Sequence, residues 1–136
     1  MTIDKVALEE VWQMRQQVMY PNHTIEDVKL PHDELGVHIG LFLFSQLVSV
    51  VSLFYKNGDL QFRKFATKID YQNKGYGTLL LQYVFKNAVE NKCHTVWCNA
   101  RVTAISFYEK FGMKTVGEKW EQDGYEFVKM KVEIQN

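Results

Sequence analysis

Phe65-Ala66-Thr67-Lys68-Ile69-Asp70-Tyr71, Gln72-Asn73-Lys74-Gly75-Tyr76-Gly77 and Thr78-Leu79-Leu80-Leu81-Gln82-Tyr83-Val84-Phe85-Lys86-Asn87-Ala88-Val89 form one unbroken stretch. An apolar run enters a loop with two glycines, and the loop opens into an amphipathic helix. Tyr76, Leu79, Leu80, Tyr83, Val84 and Ala88 recur at the spacing of one helical face. Gly75 and Gly77 fall where that helix begins, so unusual backbone angles are cheap there and a ligand can approach the main chain. Helices normally favour acids in the first turn, yet no acid lies between Asp70 and Glu90. Bare amides, a positive dipole end, glycine and Lys74 together predict an anion site, with phosphate the best-suited ligand. The plainer alternative is a strand-to-helix turn with glycine for geometry alone.

The rest of the chain limits what such a site can serve. At 136 residues it has the length of one domain with a real core, and 46% hydrophobic residues exclude a disordered chain. Sixteen basic residues balance sixteen acidic ones, so no bulk attraction to nucleic acid or to an anionic membrane is expected, and a phosphate must be held locally. Met1-Thr-Ile-Asp-Lys5 has no signal-peptide pattern and no apolar run approaches the ~20 residues of a membrane span, so a cytoplasmic protein is expected. Cys93 and Cys98 are too few for a disulfide framework, and with His94 they match no usual zinc spacing; no metal is expected.

Outward from the central stretch, Ile3 to Met19 reads as a helix stopped by Pro21, with Arg15 among its apolar positions. Asn22 to Gly36 reads as a short helix or a mobile loop crowded with His23, Glu26, Asp27, His32, Asp33 and Glu34. His38 to Phe44 and Leu47 to Tyr55 predict a hairpin turning at Ser45-Gln46, and Asn57-Gly58-Asp59 a second tight turn. Leu60 to Lys68 is the strand entering the glycine loop, and its aromatics at 62 and 65 are out of step, which predicts a bulge. After the long helix come a strand Thr95 to Asn99, a helix Val102 to Phe111 capped by Gly112, and a hairpin of Met113 to Trp120 with Tyr125 to Ile134 turning at Gln122-Asp123-Gly124. The strand–helix–strand unit pairs in parallel and the meander before it is antiparallel. The expected class is α+β: a mixed, mostly antiparallel twisted sheet flanked by helices in three α/β/α layers.

Two familiar phosphate binders fail on spacing. Position 80 is leucine, so the dinucleotide fingerprint lacks its third glycine, and the lysine of a P-loop is absent. Gln72-x-x-Gly75-x-Gly77 joined to Asn99-Ala-Arg-Val-Thr-Ala104-Ile-Ser-Phe107-Tyr108-Glu-Lys-Phe-Gly112-Met113, one strand apart, closely resembles the paired motifs of the GNAT superfamily of acyl-CoA-dependent N-acetyltransferases. The resemblance covers roughly Val37 to Ile134, as a single acetyltransferase domain spanning 1–136. It implies that Gln72, Asn73, Lys74, Gly75, Tyr76, Gly77 and Thr78 bind the coenzyme A pyrophosphate, and that Phe65, Ala66 and Thr67 hydrogen-bond the pantetheine arm. Phe107 and Tyr108 belong to the same implied coenzyme site. Many family members carry asparagine three residues before the alanine at 104; here that position is Arg101, and Asn99 stands two residues earlier as the candidate coenzyme contact.

From the resemblance follows the chemistry to test: an acetyl group passes from acetyl-CoA to a primary amine of a small molecule or peptide, by direct attack in a ternary complex. A main-chain N–H near Phe65 to Thr67 would steady the oxyanion, and Tyr108 would protonate the departing thiolate. Candidate bases are Glu26, Asp27, His32, Asp33, Glu34 and His38, and the residues alone do not choose among them. The acidic stretch could attract a cationic substrate or be a solvated loop. A covalent route through Cys98 is the lesser alternative, since no base is visibly paired with it. A protein of this fold that binds acyl-CoA without transferring the acyl group is the rival from another class. Family members are often dimers, so a homodimer is possible.

Overall fold

Thr2–Lys5 begins the chain as a strand, β1, paired antiparallel with β2, Val37–Leu43, so that Ile3 lies opposite Leu41. The structure, a computed structural model, describes residues 1–134. A helix from Ile3 is therefore corrected. Three of the four strand residues are exposed, so no apolar alternation marks the segment; the ladder to β2 holds it, and the Val6 N–H extends it by donating to the His38 carbonyl at 2.9 Å. Ala7 is extended, and helix α1, Leu8–Met14, starts with Glu9 and Glu10 in its first turn, where the dipole favours them. Past Met14 the helix widens into a π-helical turn, Arg15–Met19, ending at Tyr20. The crowded segment that follows holds a short helix α2, Ile25–Val28, closed by a capping box between Thr24 and Asp27, and a 3₁₀ turn, Asp33–Leu35.

Strand β3, Gln46–Lys56, pairs antiparallel with β2. The connection is Phe44-Ser45, not Ser45-Gln46: both turn residues have positive φ, 49° and 67°, and Gln46 already pairs with Leu43. Paired positive angles match the twist of the flanking strands, and Phe44 adopts one at the cost of full exposure. Asn57 and Gly58 make the next turn, with φ of 53° and 83°. Strand β4, Asp59–Thr67, carries Lys64 at φ 54°, an irregularity between the two out-of-step aromatics.

The chain gathers into two compact units. The first, residues 1–54 and 63–86, buries Val6, Val11, Met14, Val50 and Ala66 together, with Val18, Met19, Phe42 and Leu47 packed against them. It also contains most of helix α3, Tyr76–Glu90. The buried positions of α3 are Leu80, Leu81, Val84 and Ala88, whereas Leu79 is 39% exposed, so the apolar face is turned from the one read off the sequence.

The second unit, residues 55–62 and 87–136, holds β5, Thr95–Arg101; α4, Ile105–Glu109; β6, Lys114–Gln122; and β7, Tyr125–Glu133. Strand β5 runs parallel to β4 over three pairs, Asp59 to Gln61 against Thr95 to Trp97, and antiparallel to β7 along its whole length. Asp123-Gly124 closes the β6–β7 hairpin with φ of 53° and 82°. The expected helix from Val102 is a 3₁₀ turn, Val102–Ala104, followed by the five residues of α4, and Gly112 ends it at φ 84°. Among the described residues the strands follow the order β1-β2-β3-β4-β5-β7-β6, a mixed and mostly antiparallel sheet of the α+β class.

Candidate functional site

The glycine loop is built within the first unit. The Lys68 N–H donates to the Val48 carbonyl at 2.9 Å where β4 ends, and a 3₁₀ turn, Ile69–Tyr71, leads into the loop. There the Gln72 side-chain amide donates back to the Thr67 carbonyl at 2.9 Å. Asn73 and Gly75 take positive φ, 60° and 87°. The Leu79 N–H donates to the Gly75 carbonyl at 3.1 Å, making Gly75 the cap of α3 and leaving the amides of Tyr76, Gly77 and Thr78 without intrahelical acceptors. No acid stands in that first turn.

The two glycines serve different ends. A Cβ at Gly75 would meet nothing within 4 Å, so its torsion is what requires glycine. A Cβ at Gly77 would lie 3.3 Å from Phe65 Cζ and 3.7 Å from Thr67 Oγ1, so here closeness is the reason. Glycine thus lets the helix N-terminus sit against Phe65 to Thr67. That strand segment is braced from behind by Ser49, whose Oγ donates to the Ala66 carbonyl at 3.0 Å and lies 2.8 Å from Thr67 Oγ1. Phe65, Ala66, Thr67 and Gln72 through Thr78 are therefore brought together, and open amides beside a glycine cradle without a carboxylate suit a pyrophosphate.

Asn99, Phe107 and Tyr108 belong to the second unit. The Tyr108 ring packs at 5.6 Å from Phe62 and 5.3 Å from Phe107, centroid to centroid. Burial first, and Cys98 second, push its phenol above the ordinary tyrosine range, so it stays protonated at neutral pH. Its hydroxyl hydrogen-bonds to no other described residue. Asn99 is exposed on β5 opposite Lys129. Arg101 lays its guanidinium 3.9 Å from the Tyr125 ring centroid. Cys98 is buried and pushed up to about 12 by that burial, which makes it a poor nucleophile.

Two base candidates are already committed. The Asp33 carboxylate accepts from Arg15 Nη1 at 2.7 Å, Arg15 Nη2 at 2.9 Å, Trp12 Nε1 at 2.9 Å and the Leu30 N–H at 2.8 Å. Burial alone would raise its pKa, but these donors, Arg15 foremost, hold it at about 2. His38 contacts the Asp33 carbonyl through Nε2 at 2.8 Å and Ser52 Oγ through Nδ1 at 2.7 Å. A carbonyl only accepts, so Nε2 donates. Ser52 Oγ in turn accepts from Arg15 Nη2 at 2.9 Å and points its own hydrogen at Nδ1. Asp27 closes the capping box and Glu26 pairs with Lys29 at 2.6 Å, which leaves His32 and Glu34 exposed on the same segment. The sequence reading missed Arg15 and Ser52 as partners. An arginine four residues after Val11 on an apolar face was the available signal that a buried anion must meet it.

No three metal-ligating side chains gather among the described residues, and no described helix is long and apolar enough to cross a membrane. A model of the acetyltransferase (GNAT) domain matches residues 28–134. An uncharacterised N-acetyltransferase of Bacillus subtilis, YitI, is 27% identical over 131 residues, covering 90% of this chain and 88% of its own. In fold, the chain is similar to the ribosomal-protein-S18-alanine N-acetyltransferase of Escherichia coli, with a TM-score of 0.83 at 17% identity over 99% of this chain and 94% of that one. A Bacillus subtilis acetyltransferase in complex with coenzyme A is similar with a TM-score of 0.74 at 16% identity, covering 98% and 97%. With the domain model spanning most of its length, this chain belongs to the GNAT acetyltransferase family and is an acetyl-CoA-dependent N-acetyltransferase.

Proposed function

We propose that the chain, acting as one acetyltransferase domain, moves the acetyl group of acetyl-CoA onto a primary amine of a small molecule or peptide within a ternary complex. The observation that carries this reading is the acid-free start of α3 held against Phe65 to Thr67 by Gly77. Main-chain amides of residues 72 to 78 bind the pyrophosphate, and the backbone of Phe65, Ala66 and Thr67 receives the pantetheine arm as an added strand. Acetyl-CoA supplies the activated carbonyl. An N–H near Phe65 to Thr67 steadies the oxyanion as the amine attacks, and Tyr108, protonated at neutral pH, returns a proton to the coenzyme thiolate as the carbon–sulfur bond breaks. Asn99 and Phe107 are coenzyme contacts in the same reading. With Asp33 and His38 committed elsewhere, amine deprotonation falls to His32, Glu34 or water.

The test has two steps. Acetyl-CoA should raise the melting temperature, as any ligand of the native state does. Thiol release should then be followed over amino acids, polyamines, aminoglycosides and peptides. Stabilisation without release on any amine would favour an acyl-CoA-binding module instead. The edge strand β6 is exposed at all nine positions, which supports a second copy as its cover.

A further inference from the structure

Two breaks from regular backbone in the first unit meet at a single contact. The π-helical turn Arg15–Met19 delivers Tyr20 at its end, and the irregularity in β4 places Lys64 at φ 54°, a torsion unfavourable for a lysine. Both kinds of irregularity concentrate at functional sites, because each re-aims a side chain. Here the Lys64 ammonium donates to the Tyr20 hydroxyl at 2.5 Å and lies 4.8 Å from the centroid of the same ring. The hydroxyl oxygen accepts, so its own hydrogen points elsewhere, and the ammonium keeps two more donors.

Arg63, the preceding residue, is half-buried, and no carboxylate of the described residues pairs with it or with Lys64. The one carboxylate that acts on Arg63 is Asp33, which Arg15 already holds with both nitrogens. Arg15 and Arg63 thus share one carboxylate, and Lys64, next along the strand, is ion-paired to none of the described residues. Burial, then Arg15, push Arg63 below the ordinary arginine range, as expected of a guanidinium without its own counter-ion.

We propose that Tyr20, Arg63 and Lys64 bind an anionic group, a carboxylate or a phosphate, carried by the acceptor amine. The inference rests on the coenzyme placement above: with the pyrophosphate at residues 72 to 78 and the arm running back from Thr67 to Phe65, the thioester end arrives next to Lys64. The Lys64 ammonium and the Tyr20 hydroxyl then stand nearest the part of the acceptor beyond its amine, and the adjacent Arg63 guanidinium is the further donor the proposal adds. This reverses the cationic preference that the acidic stretch before Gly36 suggests, since Asp33, Asp27 and Glu26 are spent on Arg15, Thr24 and Lys29.

The test compares three amines of equal chain length, ending in a carboxylate, its neutral amide or a phosphate, by thiol release. The wild-type enzyme should favour an anionic amine over the amide by about tenfold to a hundredfold in kcat/KM, the range of a charge-assisted contact. The better anion identifies the group. Arg63→Met and Lys64→Gly should raise KM for the anionic amine far more than for the amide, with Arg63→Lys recovering part of the loss. Glycine suits the torsion at 64, so that variant keeps its fold, and a melting curve checks each protein. Equal use of amide and anion by the wild-type enzyme, or equal losses on both in the variants, would overturn this site and leave acetyl transfer intact. Acetyl-CoA binding with no amine turned over would instead sink the reading on which it depends.

Discussion

Asp33 holds Arg15 with both carboxylate oxygens, at 2.9 and 2.7 Å, where the two side chains are 3% and 0% exposed. The pair joins the π-helical turn to the 3₁₀ turn before β2, and Arg15 adds the Val28 carbonyl at 3.0 Å and Ser52 from β3. Removing one partner leaves the other charged and buried. Asp33→Ala should therefore destabilise by about 3–5 kcal/mol in urea unfolding. Loss of less than about 1 kcal/mol would mean that water reaches Arg15.

The same pair sets an acid limit. Asp33 is depressed to about 2 from its ordinary 3.8, so its contribution is complete above the unfolded value and disappears as pH falls through about 2. Melting temperatures from pH 5 down to 1.5 should fall more steeply for the wild type than for Asp33→Asn, which has no such proton to gain.

At the glycine loop, two substitutions should part company. Gly75→Ala meets open space but keeps an unfavourable φ of 87°, so it should cost about 1–2 kcal/mol of stability. Gly77→Val pushes side-chain atoms toward Phe65 and Thr67, and should abolish most of the acetyl-CoA thermal shift. If Gly77→Val retains the full shift, the coenzyme does not lie along that strand.

Tyr108→Phe should lower kcat by about 10²–10⁴ while leaving the acetyl-CoA thermal shift in place. Because the phenol lies above its ordinary pKa of 10, the acid stays armed as pH rises, and any alkaline loss of kcat due to it should begin above pH 10. A descending limb below pH 9 that disappears in Tyr108→Phe would contradict that environment.

Cys98→Ala should keep kcat within about threefold and cost on the order of 1 kcal/mol of stability, as expected for a buried thiol outside the chemistry. An acetylated protein caught by mass spectrometry in the wild type and lost in the variant would revive the covalent route.

Most of the sheet could be read directly, because β2 and β3 are long apolar runs, β7 alternates apolar Val128, Met130 and Val132 with charged residues, and Asn57-Gly58 and Asp123-Gly124 advertise their turns. Strand β1 could not: Thr2, Asp4 and Lys5 face water, and only the ladder to β2 defines them. The Phe44-Ser45 turn was misplaced by one residue because a phenylalanine at positive φ gives no local sign. The glycine loop was legible since its chemistry is contiguous. The network of Arg15, Asp33, His38 and Ser52 was not, because its members come from four separate elements and meet only after folding. Tyr20 and Lys64 stand 44 positions apart, and the out-of-step aromatics of β4 gave the one hint that the strand departs from regularity there.

Cys93 and Cys98 are both buried, and burial raises both thiols above their ordinary range. A folded protein of this kind is chemically quiet toward a disulfide dye at neutral pH. Each equivalent of colour in a thiol-release assay then counts a coenzyme molecule, released to amine or to water, and unfolding enzyme can add no more than the two thiols of Cys93 and Cys98. The protein supplies its own blank.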